Sequence, residues 1–199
     1  MFPLGTVLFP HAVLPLHIFE PRYQALTEHC LAADSTFGVV LIERGSEVGG
    51  GDQRFTVGTR TRIVHAEHLD DGRWVLVTVG ETRLRVKRWL PDDPYPLAEV
   101  ERLDDPAGTD AVGLVPEIER SLQRVLALRA ELGEPGAAID VTLAPDPVRA
   151  SFQASALAAL SPMDAQQLLE IDDAEQRLRT LAARLDEHVA VLEFRLTGG

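Results

Sequence analysis

The chain has 199 residues, 45% hydrophobic and 25% charged, with a formal net charge of −12. That length suits one large domain or two small ones. The acid excess runs through both parts (16 acids to 11 bases up to Asp105, then 15 to 8), which argues against the basic footprint of a nucleic-acid binder. The single cysteine, Cys30, excludes an intramolecular disulfide and fits a reducing cytoplasm.

The opening, MFPLGTVLFPHAVLPLHIFEPRYQAL, carries no Asp, Glu, Lys or Arg before Glu20 and is punctuated by Pro3, Pro10 and Pro15. A secretory signal begins with a basic region and closes on a small-residue cleavage site, and neither is present. A membrane-spanning helix needs about 20 apolar residues in a row. Here three prolines, each lacking an N–H and fixing φ, interrupt any such helix. No later stretch is apolar enough to span a membrane, so a soluble, cytoplasmic protein is expected. Residues 6–9 (TVLF) and 12–14 (AVL) instead predict two short strands that pair with each other. Pro21-Arg22-Tyr23 then predicts a helix start, with Glu20 near its N-terminal dipole, Pro21 at its first position, and Leu26, Cys30 and Leu31 on its buried stripe.

The stretch FGVVLI, residues 37–42, predicts a buried strand, and residues 43–53 a Gly-rich loop. Val57, Thr59, Thr61 and Ile63 alternate at period two in a strand over 55–69. Asp70-Asp71-Gly72 is a turn signal, and the chain returns as a strand over 74–79. Gly80-Glu81-Thr82 predicts a break before Leu84 and Val86 alternate with Arg83, Arg85 and Lys87. Residues 97–103 predict the last strand. The sum is an antiparallel meander with one wet face and one early helix, curled into a small barrel.

Past Asp105 the period becomes helical. Val115, Ile118, Leu122, Val125, Leu126 and Leu132 form one stripe, ended by Gly133-Glu134-Pro135-Gly136. Residues 137–147 form a connection and 148–160 a short helix. Ser161-Pro162-Met163-Asp164 restarts a helix with Ser161 as N-cap. The last helix follows Asp172-Asp173, with a stripe of Leu178, Leu181, Leu185, Val189, Leu192 and Leu196. The expected organisation is a β part, 1–105, and a helical part, 106–199, packed as one unit.

Few residues carry chemistry. Gly49-Gly50-Gly51 lacks the Lys and the following helix of a phosphate loop. His65 and His68 lie three apart on a predicted strand and so point to opposite faces. His11 and His17 show no ligand spacing either. The only lysine, Lys87, sits on an exposed strand face, unlike the desolvated base that a Ser-Lys dyad needs. No G-x-S-x-G elbow exists, and Cys30 falls on a core face. Arg83, Arg85, Lys87 and Arg88 beside Trp89 make the one local case for RNA binding. The crowded apolar opening offers the other surface of interest, a sticky groove.

Taken in order, three segments resemble one family. FPLGTVLFPHAVLPLHIFEPRY is similar to the start of the N-terminal, substrate-binding domain of the Lon protease. FTVGTRTRIVHAEHLDDGRWVLVTVGETRLRV matches its V-G-T strand, D-G hairpin and G-x-x-R-x-x-V strand. ALAALSPMDAQQLLEIDDAEQRLRTLAARLDEHVAVLEFRL matches its helical end, with an L-x-x-x-D-x-x-x-R-L pattern before the last helix. The I-F-E-x-R-Y ending and the FGVVLI stretch most resemble stand-alone bacterial proteins built from this domain. The resemblance implies an α+β fold, a PUA-like antiparallel β-barrel with one early helix followed by an α-helical bundle. It implies no ATPase or peptidase module, no catalytic residue, no cofactor and no metal. The domain captures unfolded substrates and aids assembly in Lon, and the similar domain of cereblon serves partner interactions. The function it implies is a non-catalytic module that binds apolar polypeptide segments or one protein partner, in a groove between barrel and helices. Phe9, Phe19 and Tyr23 are the candidate contacts. A small-ligand protein or enzyme reusing the fold is the alternative, and RNA binding through the basic run is third. The long striped last helix leaves the protein a monomer or a homodimer.

Overall fold

Alternating apolar and polar side chains build the first unit, Met1–Asp104, as a six-stranded sheet with one helix. The computed structural model describes residues 1–45, 53–134 and 141–198. Its strands are β1 (Phe2–Leu4), β2 (Val13–Ile18), β3 (Thr36–Arg44), β4 (Gln53–His68), β5 (Trp74–Leu90) and β6 (Leu97–Arg102). The order is β1-β3-β4-β5-β2, and β6 pairs with the far end of β5.

The expected mixture of a curled, mainly antiparallel sheet and later helices is present, with three differences. Residues 6–9 are not a strand. The strand lies earlier, at β1, and pairs in parallel with β3 rather than with β2. Pro10 and His11, the latter at φ 67°, turn the chain sharply, so residues 8–12 meet the sheet only by isolated bonds, such as His11 N–H to the Gly80 carbonyl at 2.8 Å. Second, β5 runs straight through the expected break at 80–82. Gly80 is needed there because a side chain would overlap the Phe9 carbonyl, and its N–H donates to the Ala12 carbonyl at 3.0 Å. Third, no pairing among the described residues joins β1 to β2. The sheet is open at that point, so "barrel" describes its curl rather than a closed ring.

The helix α1 (Pro21–Ala32) starts as expected, with Pro21 in its first turn. Glu20 makes no side-chain cap; its carboxylate pairs with Arg22 at 3.1 Å instead. Tyr23, Leu26, Thr27 and Cys30 form the buried face, whereas Leu31 is exposed. Position 31 lies about 100° past position 30, and the face is already set by the 23, 26/27, 30 spacing. Phe2, Leu16, Ile18, Phe37, Val39 and Leu76 complete the core of this unit. The Phe2 ring stacks on Tyr23 at 4.2 Å between centroids, a geometry worth about 1 kcal/mol beyond burial.

The second unit, Asp105–Gly199, holds α2 (Ala111–Glu131), α3 (Pro147–Leu157), α4 (Pro162–Glu170) and α5 (Ala174–Leu196). The α2 stripe of Val115, Ile118, Leu122, Val125 and Leu126 is buried, as are Leu178, Leu181, Leu185 and Leu192 of α5; Leu196, past the last packed turn, is exposed. Side chains cap three of these helices: Asp146 accepts from Arg149 N–H, Ser161 from Asp164 N–H and Asp173 from Gln176 N–H. Of the Gly-rich loop expected over 43–53, Glu43 and Arg44 belong to β3 and Gln53 to β4, while 46–52 lie outside the described residues, as do 135–140 before α3.

The L-x-x-x-D-x-x-x-R-L pattern becomes a joint between α4 and α5, with Leu169, Asp173, Arg177 and Leu178 in its named places. Asp173 caps α5. Arg177 is fully buried and donates to the Leu168 carbonyl at 3.2 Å, which also accepts from the Ile171 N–H, and to the Ile171 carbonyl at 2.6 Å, just past the end of α4. Leu169 and Leu178 are buried.

Candidate functional site at the open edge of the sheet

Because β1 and β2 end the strand order, their outer edges flank the opening. A hollow of about 200 Å³ lies there, lined by Phe2 and Leu4 of β1, by the consecutive run Pro15–Glu20, and by Tyr23 of α1. In β2 the side chains alternate: Leu16 and Ile18 are buried, Val13, Pro15 and His17 exposed. Phe19 stands at the rim, 56% exposed, and Val13 further along is 62% exposed. The rim is electrically quiet. Glu20, the one carboxylate of the lining, pairs with Arg22, whose guanidinium also sits 4.5 Å above the Tyr23 ring.

Of the three contacts expected from the sequence, the structure brings two to this hollow. Phe19 is exposed at its rim, and Tyr23, only 4% exposed, forms part of its wall. Phe9 is 3% exposed and is not part of this lining. Leu4, Leu16 and Ile18 belong to the crowded apolar opening expected to offer a sticky groove, whereas Phe2, Pro15 and His17 were not singled out for it. One signal for β2 was available, since a proline inside a strand pattern marks an edge. For β1 there was none, because its place depends on a parallel pairing.

A second hollow, about 340 Å³, lies among Met1, Phe37, Gly38, Leu84, Leu97 and Val100 with a polar border. Several of its polar groups are already engaged. Arg60 pairs with Asp34 and Glu81, Glu101 with Lys87, and Arg83 donates to the Asp104 carbonyl at 2.8 Å. The Met1 amine donates to the Pro96 carbonyl at 2.7 Å, and burial lowers its pKa from 8.0 to about 6.

The basic run makes no continuous cationic face. Arg83 is interior, while Lys87 and Arg88 pair with Glu101 and Glu99 of the neighbouring strand β6. His65 is exposed, and the His68 ring lies 4.6 Å from that of Trp74. No three His, Cys, Asp or Glu among the described residues converge as a metal site would require. Cys30 is in the core, its thiol donates to the Thr36 carbonyl, and burial pushes its pKa up, the reverse of what a nucleophile needs. No helix among the described residues is long and apolar enough to cross a membrane.

Known proteins carry the same pattern. The model of the ATP-dependent protease La (LON) substrate-binding domain matches residues 1–187. A Lon protease of Cytophaga hutchinsonii is 27% identical over 196 residues, covering 96% of this chain and 24% of its own length. Lon protease 2 of Myxococcus xanthus is 30% identical over 141 residues, 69% of this chain and 17% of its own length. The chain therefore spans about a quarter or less of these relatives. Among solved structures, a Lon N-terminal domain protein from Xanthomonas campestris aligns with a TM-score of 0.64 at 28% identity, over 92% of this chain and 95% of that one. The N-terminal domain of the Mycobacterium avium complex Lon protease aligns with a TM-score of 0.66 at 22% identity, over 94% and 97%, and shares the fold. With the family model spanning both units, this chain belongs to the Lon substrate-binding domain family.

Proposed function

We propose that the chain is a non-catalytic binding module that takes exposed apolar segments of polypeptides into the hollow between β1, β2 and α1. One observation carries this reading: an apolar, charge-balanced hollow opens to solvent at the sheet's unpaired edge, with a large aromatic, Phe19, exposed on its rim. An isolated exposed phenylalanine is unremarkable on a soluble protein; beside an apolar hollow it is the anchor that interfaces favour. Family membership supports the same reading. The partner is a polypeptide, and the module works in the cytoplasm as a monomer or homodimer without cofactor or metal.

The test is fluorescence anisotropy of the whole chain against a labelled, permanently unfolded polypeptide, with the same polypeptide folded as control. Saturable binding to the unfolded form alone, without cleavage, is the expected result. Phe19→Ser removes about 1–2 kcal/mol of buried apolar contact, so affinity falls about 5- to 30-fold, while the melting temperature of the free protein holds because the side chain is exposed. Absence of binding, or equal binding by the Phe19→Ser variant, refutes the reading.

A further inference from the structure

We infer that the bound segment is an extended, uncharged strand that adds to the free edge of β2 through main-chain hydrogen bonds. This rests on the preceding reading and specifies its partner. Four successive residues of β2, Pro15, Leu16, His17 and Ile18, all line the hollow, although Leu16 and Ile18 are buried and Pro15 and His17 exposed. Neighbouring side chains on a strand point to opposite faces. A hollow that touches both sets therefore lies along the strand's edge, where its backbone is presented.

That edge is unoccupied by any strand among the described residues. β2 pairs through its other edge with β5, in register from Val13↔Val79 to Ile18↔Trp74. An unpaired edge is a row of amide donors and acceptors matched by another extended backbone. A helix satisfies its own backbone groups and offers the edge nothing. The charge balance selects the partner further. No Asp, Glu, Lys or Arg precedes Glu20 in the sequence, and Glu20 is neutralised by Arg22, so a charged segment would lose hydration without gaining a counter-charge from these side chains. Side chains at every second position of the added strand would face Phe2, Leu4 and Tyr23, which calls for apolar residues there. Pro15 has no N–H to give, which limits the ladder to a short stretch toward Ile18.

The experiment uses the unaltered chain and a labelled, end-capped peptide alternating leucine and threonine. Two further versions carry N-methyl groups on one or the other alternate set of amides. Edge pairing uses only one set, so one methylated version should bind about tenfold or more weakly and the other nearly as well as the parent. Equal affinities of the two methylated peptides overturn the inference while leaving apolar capture intact. Failure of the parent peptide, with the unfolded polypeptide still binding, overturns it too. Failure of both ligands removes the underlying reading as well.

Discussion

Replacing Arg177 by methionine should destabilise the helical unit by about 3–5 kcal/mol. The guanidinium is fully buried, 3.9 Å above the Phe152 ring, and its five donors are spread over the acceptors of one joint. Besides the Leu168 and Ile171 carbonyls, they reach Ser151 Oγ at 2.7 Å, the Asp172 carbonyl at 3.3 Å and Asp105 Oδ1 at 3.3 Å. Methionine fills much of the volume, so little of the cost comes from a cavity. The cost arises mainly because the buried Leu168 carbonyl and Ser151 hydroxyl lose a donor that water cannot replace, each at about 1–3 kcal/mol, while the partly buried Ile171, Asp172 and Asp105 acceptors lose less. Arg177→Lys keeps the charge but reaches fewer acceptors and should fall between wild type and Arg177→Met. Denaturant unfolding followed by circular dichroism measures this, with Arg179→Met as control. That neighbour is 57% exposed in an i,i+4 pair with Glu175 and should leave the midpoint within experimental error. A loss below about 1 kcal/mol for Arg177→Met would refute the view that this arginine satisfies the α4–α5 joint.

Three further outcomes are expected. Gly58→Ala should cost more than about 2 kcal/mol in denaturant unfolding, because the new methyl overlaps the Val39 carbonyl and comes within 2.7 Å of Val40 Cγ1; wild-type stability would show that β3 and β4 can separate there. Stability should rise between pH 6 and pH 8 through the Met1 amine. Its folded pKa is depressed from 8.0 to about 6, so in this window the unfolded chain binds the extra proton, and folding is penalised by up to about 3 kcal/mol below pH 6 and freed of the penalty above pH 8. Capping that amine by acetylation should flatten this part of the profile, and an unchanged profile would contradict the burial argument. Cys30, buried with its thiol pKa raised, should react with a thiol reagent only after denaturant is added; rapid native labelling would place it at the surface.

Elements set by local signals could be read directly. Pro21 opening α1, Ser161 and Asp173 capping α4 and α5, and the three-and-four spacing of the α2 stripe each depend on neighbours within about one helical turn. The joint motif was legible as a pattern, yet its meaning was not. Nothing in the spacing of Arg177 says that the arginine is buried, because burial depends on carbonyls six and nine residues upstream and on Phe152. Of the candidate site, Phe19 and Tyr23 were reachable, since an apolar run ending in a helix start must place some large side chains near that junction. Phe9 looked the same in sequence and is a core residue. The difference is made by the turn at His11 and by Gly80, which let the chain around Phe9 close onto β5.

By itself the sequence determined the order of β and helical parts, the caps and the buried stripes, because periodicity and capping act over a few residues. The tertiary structure decided which strands are neighbours. The parallel pairing of β1 with β3, across more than thirty residues, moves the first strand away from the second and leaves the sheet open between them. Strand pairing is a choice among distant edges, and local side-chain pattern constrains the face each residue takes but not the partner it meets.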